Sequence, residues 1–289
     1  MTWLFYAIGS SFFAGITAIL AKCGISKTDS DVATAIRTII VFLFSWLMVM
    51  ITKTGNGIVH ISQKTILFLV LSGLATGASW LCYFRALQNG DVNKVAVIDK
   101  SSTVLTIILA LIFFQEGFCW QKGVCIILIG AGTLLMITKK DIALEKEKKK
   151  HGFLVYAFLS AIFASLTAIL GKIGISNIDS NLGTAIRTTV VLLMAWMMVF
   201  IAGKQHKIGN IEKKELLFII LSGFATGASW LCYYHALQSG PASVVVPIDK
   251  LSILITVAFS WIVFQEKLTK KAGAGLIMLT VGTIFLTIL

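Results

Sequence analysis

Displaced by 150 residues, the sequence lies back on itself without a gap. "TAILAKCGIS" (17–26) meets "TAILGKIGIS" (167–176), and "TAIRT" (34–38) meets "TAIRT" (184–188). "LSGLATGASWLCY" (71–83) meets "LSGFATGASWLCY" (221–233), "IDK" recurs at 98–100 and 248–250, and "FQE" at 114–116 and 264–266. More than two fifths of the aligned positions are identical. Whatever one half folds into, the other must fold into as well, so the chain is a tandem of two like units. The units are 1–139 and 151–289, joined by a basic, hydrophilic linker at 140–150.

Each unit is a succession of apolar runs. The chain is 57% hydrophobic and only 13% charged, whereas soluble domains carry about 25% charged residues. Runs of about twenty residues at 1.5 Å per residue match a hydrocarbon core of roughly 30 Å. In the first unit they fall near 3–23, 33–52, 65–87, 92–114 and 119–138, and in the second 150 residues further on. The expectation is an all-α polytopic membrane protein with ten transmembrane helices. Because five is odd, the second unit enters the membrane from the side opposite to the first. The two five-helix units are then inverted repeats, an arrangement common among secondary transporters. The N-terminus has no basic stretch before its apolar run and no small-residue cleavage site, so it reads as a first span.

The net charge of +12 is an orientation signal rather than a nucleic-acid footprint. Six basic residues sit within spans at equivalent places in both copies: Lys22, Arg37, Lys100, Lys172, Arg187 and Lys250. Of the other 19, 16 fall on the face that carries the linker and three, Lys53, Lys64 and Lys122, on the opposite face. Basic residues collect on the cytoplasmic side, so the linker is expected inside and both termini outside. Equivalent loops lose their basic residue as the copy turns over, as in Arg85 against His235 and Lys122 against Ala272. Contact with anionic membrane lipid accounts for the remaining excess.

Enzyme signatures are not found. The four histidines are scattered, there is no phosphate-binding glycine loop, and no nucleophile stands beside a base. The five cysteines have neither disulfide nor metal spacing and read as small buried hydrophobes. The expectation is a non-enzyme with no metal and no cofactor, in which protons are the one coupling species to consider.

The intramembrane charges are the candidate site. An ionisable side chain at mid-membrane costs roughly 2.5–3.5 kcal/mol on insertion scales and ordinarily faces an interior cavity. Asp99, Ser102 and Thr106 share one helix face, repeated as Asp249, Ser252 and Thr256, while Lys100 and Lys250 point elsewhere. By depth, Lys22, Arg37, Trp80, Tyr83, Asp99 and Lys100 form an inner cluster, mirrored outside by Lys172, Arg187, Trp230, Tyr233, Asp249 and Lys250. Ser79 and Ser229 lie on the polar face of the third span of each unit. Two readings of Asp99 and Asp249 stand side by side: contact with substrate or proton, or counter-ions to Arg37 and Arg187. The GxxxG patterns at Gly73, Gly77, Gly223 and Gly227 read as helix packing. Trp46 and Trp196 read as packing too, Glu116 and Glu266 as surface loop ends, and Pro247 as a kink in the ninth span.

The duplicated five-span unit, the arginine of "TAIR", and "FFQE" and "VFQE" near the fourth and ninth spans together resemble the EamA domains of the drug/metabolite transporter superfamily. In those domains the last motif is aliphatic-Gly-Glu, and Gln115 and Gln265 depart from it. "PIDKLS" in the second copy resembles one subgroup, and the first copy reads "VIDKSS". The resemblance covers both units and implies ten spans and a carrier of small organic solutes such as amino acids or amines, often outward. The expected protein is an alternating-access exporter in the inner (plasma) membrane, monomer or homodimer, with Asp99 and Asp249 as its proton path. The rival from another class is a non-transporting membrane scaffold that keeps the carrier fold.

Overall fold

Paired Asp-Ser steps at 29–30 and 179–180 start the second helix of each unit in the same way. Asp29 accepts from the Asp31 N–H, and Asp179 from those of Asn181 and Leu182, so a side chain satisfies helix-end donors that have no intrahelical partner. A computed structural model describes residues 2–25, 27–89, 98, 101–136, 152–263 and 269–289. Its first unit contains α1 (Thr2–Gly24), α2 (Ser30–Ile51), α3 (Gln63–Asn89), α4 (Ser102–Phe113) and α5 (Trp120–Leu135). The second contains α6 (Gly152–Ile175), α7 (Ser180–Ile201), α8 (Lys213–Ser239), α9 (Ala242–Lys250), α10 (Ser252–Val263) and α11 (Lys270–Ile288).

Among the described residues, eight segments are long and apolar enough to cross a membrane, α9 and most of α10 counting as one. The shorter apolar helices α4 and α5 stand where the fourth and fifth spans are expected. Large apolar side chains such as Phe5, Met50, Ile51 and Ile288 are exposed, as a lipid solvent requires.

Two pairs of corresponding helices, α2 with α7 and α5 with α11, pack antiparallel. On α2 and α7, Trp46 Nε1 donates to Thr189 Oγ1 at 3.2 Å, while Val49 packs beside Leu182. On α5 and α11, a Cβ placed at Gly132 would meet Gly275 O at 2.6 Å, while one at Gly282 would meet the Cys125 carbonyl at 3.2 Å. A helix and its own copy therefore point in opposite directions, as inverted repeats require.

Contacts obey the same symmetry. α1 packs along α8 and α3 along α6, and several contacts between i and j return at i+150 and j−150. Ser229 Oγ donates to the Ser10 carbonyl at 3.0 Å, and Ser79 Oγ to the Ser160 carbonyl at 3.1 Å. The GxxxG glycines make the other crossings close. A Cβ at Gly73 would meet Val190 of α7 at 2.7 Å, and one at Gly223 would meet Ile40 of α2 at 2.6 Å. Packing is thus what these glycines do.

The ninth span is broken, though not at Pro247. α9 runs through the proline and ends at Lys250, where Leu251 N–H donates back to the Ile248 carbonyl at 3.0 Å in a tight 3₁₀-type turn. In the first unit Ser101 N–H donates to the Ile98 carbonyl at 3.1 Å, with no proline nearby. The turn after "IDK" belongs to both copies, so the proline is not its cause.

Candidate functional site

At the centre of the bundle lies a cavity of about 280 Å³ to which both units contribute. The first unit supplies Thr76, Ser79, Trp80, Ser102, Thr103 and Thr106, and the second Thr167, Arg187, Trp230, Tyr233, Asp249 and Lys250, together with Ser229 and Tyr234. Polar side chains in the interior of a membrane bundle must satisfy one another because the surrounding lipid offers no partners.

Arg187 dominates the wall. It is only 2% exposed. Its Nε donates to Ser72 Oγ at 2.9 Å and its Nη2 to Thr76 Oγ1 at 2.6 Å, both across the unit boundary. Its Cζ lies 4.9 Å from the Trp230 ring centroid and 4.7 Å from that of Tyr234. A desolvated cation over an aromatic face gains about 2 kcal/mol, which offsets part of the burial. Nη1 is buried and has no hydrogen-bond partner among the described residues. Asp249, on the same cavity, accepts from Ser10 Oγ at 2.6 Å.

Several sequence expectations change here. The counter-ion reading of Asp249 is not what the geometry shows: among the described residues, no carboxylate pairs with Arg187 within 4.0 Å, and Asp249 is held by a serine of the other unit. Lys250 was expected to point away from Asp249, yet both border the cavity. Lys172 leaves the expected cluster. It donates to the Gly240 carbonyl at 2.6 Å and lies 3.3 Å from Glu116, at the end of the bundle opposite the 25–31 loop. In the first unit, Trp80 and Ser79 line the cavity. Arg37, Tyr83 and Lys22 do not: Arg37 is half-buried, Tyr83 packs beside Ala86 and Ala157, and Lys22 is exposed. Asp99, Lys100 and Glu266 lie outside the described residues.

Glu116 is not a surface residue. Its carboxylate accepts the N–H groups of Ala242 at 2.6 Å and Ser243 at 2.9 Å, capping the start of α9 in the other unit. Burial pushes this carboxyl up, but hydrogen bonds from Ser243 and the Lys172 charge outweigh it and hold the group below the usual carboxylate range. Sequence reasoning also missed Tyr234 and Ser10. The first carried a signal, since Tyr234 stands where the first copy has Phe84.

Comparison with known proteins matches this architecture. The model of the EamA-like transporter family fits residues 1–138 and again 152–288. The chain belongs to that family. Among its relatives is a Sinorhizobium transporter named by its place in the cobO 3′ region, 42% identical over 135 residues, which span 47% of this chain and 96% of that one. A Methanothermobacter thermautotrophicus transporter is 26% identical, with 94% of this chain and 82% of that one covered. A Rickettsia bellii protein named as an S-adenosylmethionine uptake transporter is 25% identical, with 81% and 74% covered. One solved crystal structure shares the fold, with a TM-score of 0.79 at 11% identity over 99% of this chain and 98% of that one. This EamA-like protein is therefore a multi-pass membrane protein with a transporter's architecture.

Proposed function

We propose that this EamA-like protein is a secondary carrier that moves small organic metabolites, of the amino-acid or amine kind, across the plasma membrane by alternating access. The observation that carries the reading is the central cavity. It is lined mainly by polar side chains and is shared by two antiparallel units, so either unit can shift against the other and turn the same site to either side. Asp249, and by the repeat Asp99, is the group through which protons couple to the cycle. The linker is placed inside and both termini outside, on the strength of the basic-residue bias.

The relatives named for S-adenosylmethionine uptake fit the same chemistry, because that molecule joins a carboxylate and cationic groups to a flat ring system. The family resemblance points to export, and those names point to uptake. Purified protein in proteoliposomes, with a metabolite panel loaded on one side or the other, tests function and direction together. Saturable flux is expected, and Asp249→Asn should lower its pH dependence. Flux in Asp249→Asn that keeps the full pH dependence of the unaltered protein would remove the coupling role. A scaffold would give no flux with any compound.

A further inference from the structure

We infer that Arg187 is the receptor for a substrate carboxylate, and hence that the substrates are compact monoanions or zwitterions bearing a flat apolar group. This deepens the carrier reading and rests on it. Four neighbours hold the guanidinium. The Trp230 and Tyr234 rings lie 4.9 and 4.7 Å from its Cζ, and Ser72 and Thr76 take Nε and Nη2. The remaining donor is Nη1, buried on a cavity-lining residue and with no partner among the described residues. A buried donor left unmatched costs free energy and a buried charge without a counter-charge costs more, so an oxyanion at Nη1 meets both demands at once.

The surroundings select among oxyanions. Arg187 and Lys250 against Asp249 leave one net positive charge among the described lining residues. That balance suits one carboxylate and leaves a doubly charged phosphate ester in excess. Asp249 is placed to receive an ammonium group on the same molecule. Trp80, Trp230 and Tyr233 on the wall offer apolar faces to a planar substituent.

Four probes of similar size separate these chemistries: phenylacetate, phenylalanine, phenethylamine and phenyl phosphate. Binding to the purified full chain is read by the unfolding midpoint and by quenching of tryptophan fluorescence. Phenylacetate and phenylalanine should bind roughly tenfold to a hundredfold more tightly than phenethylamine, the scale of one charge-assisted hydrogen bond. Arg187→Gln should abolish that ranking, and Arg187→Lys should restore part of it. If Arg187→Gln does not fold, the ranking on the unaltered protein decides alone. Equal or tighter binding of phenethylamine or phenyl phosphate, or no response to either carboxylate at millimolar concentration, overturns the inference. Flux is scored separately. Binding without flux would remove the carrier and leave the receptor, whereas flux that favours the amine would remove the receptor and leave the carrier.

Discussion

A single carboxylate can hold the two units together at one end of the bundle. Glu116 follows α4 of the first unit and caps α9 of the second, where an anion meets the positive end of the helix dipole. Glu116→Gln keeps the shape and loses the charge, and should cost about 1–3 kcal/mol in unfolding free energy. Glu116→Ala should cost more, because two buried N–H groups are then left bare. A denaturant titration of the two variants checks the order. At the other end, Asp29 meets Lys204 at 3.1 Å and Lys207 at 2.8 Å, and Lys204 also pairs with Asp31. Burial pushes the Asp29 carboxyl up, but hydrogen bonds from Lys207 and Lys204 hold it down to about 2 from an ordinary 3.8. A carboxyl lowered on folding stabilises above its unfolded value and loses that contribution as pH falls through its folded one. The unfolding midpoint should therefore drop between pH 4 and pH 2, and Asp29→Asn should flatten that drop.

Between elements, the closeness of backbones decides what a substitution does. At the α5–α11 crossing, a Cβ on Gly275 would meet the Gly132 carbonyl at 2.5 Å and Met136 N at 2.9 Å, whereas one on Gly273 of the same helix meets nothing within 4 Å. Gly275→Ala should destabilise by roughly 1–3 kcal/mol, while Gly273→Ala should be neutral or slightly stabilising through helix propensity. Thermal unfolding of the pair, side by side, separates packing from propensity. The tight turn after "IDK" also belongs to this scale. Because the first copy makes it without a proline, Pro247→Ala should leave the turn in place and leave probe binding within about twofold. A large loss of binding would mean that the proline shapes the cavity after all.

Over the whole molecule, the duplication makes the architecture readable from the residues alone. A repeat of five apolar runs fixes the number of units, and the odd count dictates their inversion. Glycines at GxxxG spacing announced close crossings, and the polar faces around Ser79 and Asp249 announced an interior site. The pairings across units were not legible, because they join residues such as Ser10 with Ser229 and Glu116 with Ala242 that no local pattern links. Arg187 could be seen as an intramembrane charge, but its clamp by Ser72, Thr76, Trp230 and Tyr234 depends on three helices meeting at one level. The break after Lys250 escaped for a similar reason: a single 3₁₀ turn leaves no mark on hydrophobic periodicity. Orientation is tested at this scale by a cysteine placed at position 145. It should resist an impermeant reagent added outside intact cells, and labelling from outside would reverse the topology. The most direct test of the account is substrate flux into and out of proteoliposomes holding the purified chain, compared with Arg187→Gln. Saturable flux that falls by tenfold or more in the variant is the predicted result; a folded, ligand-binding protein that moves nothing in either direction would contradict it.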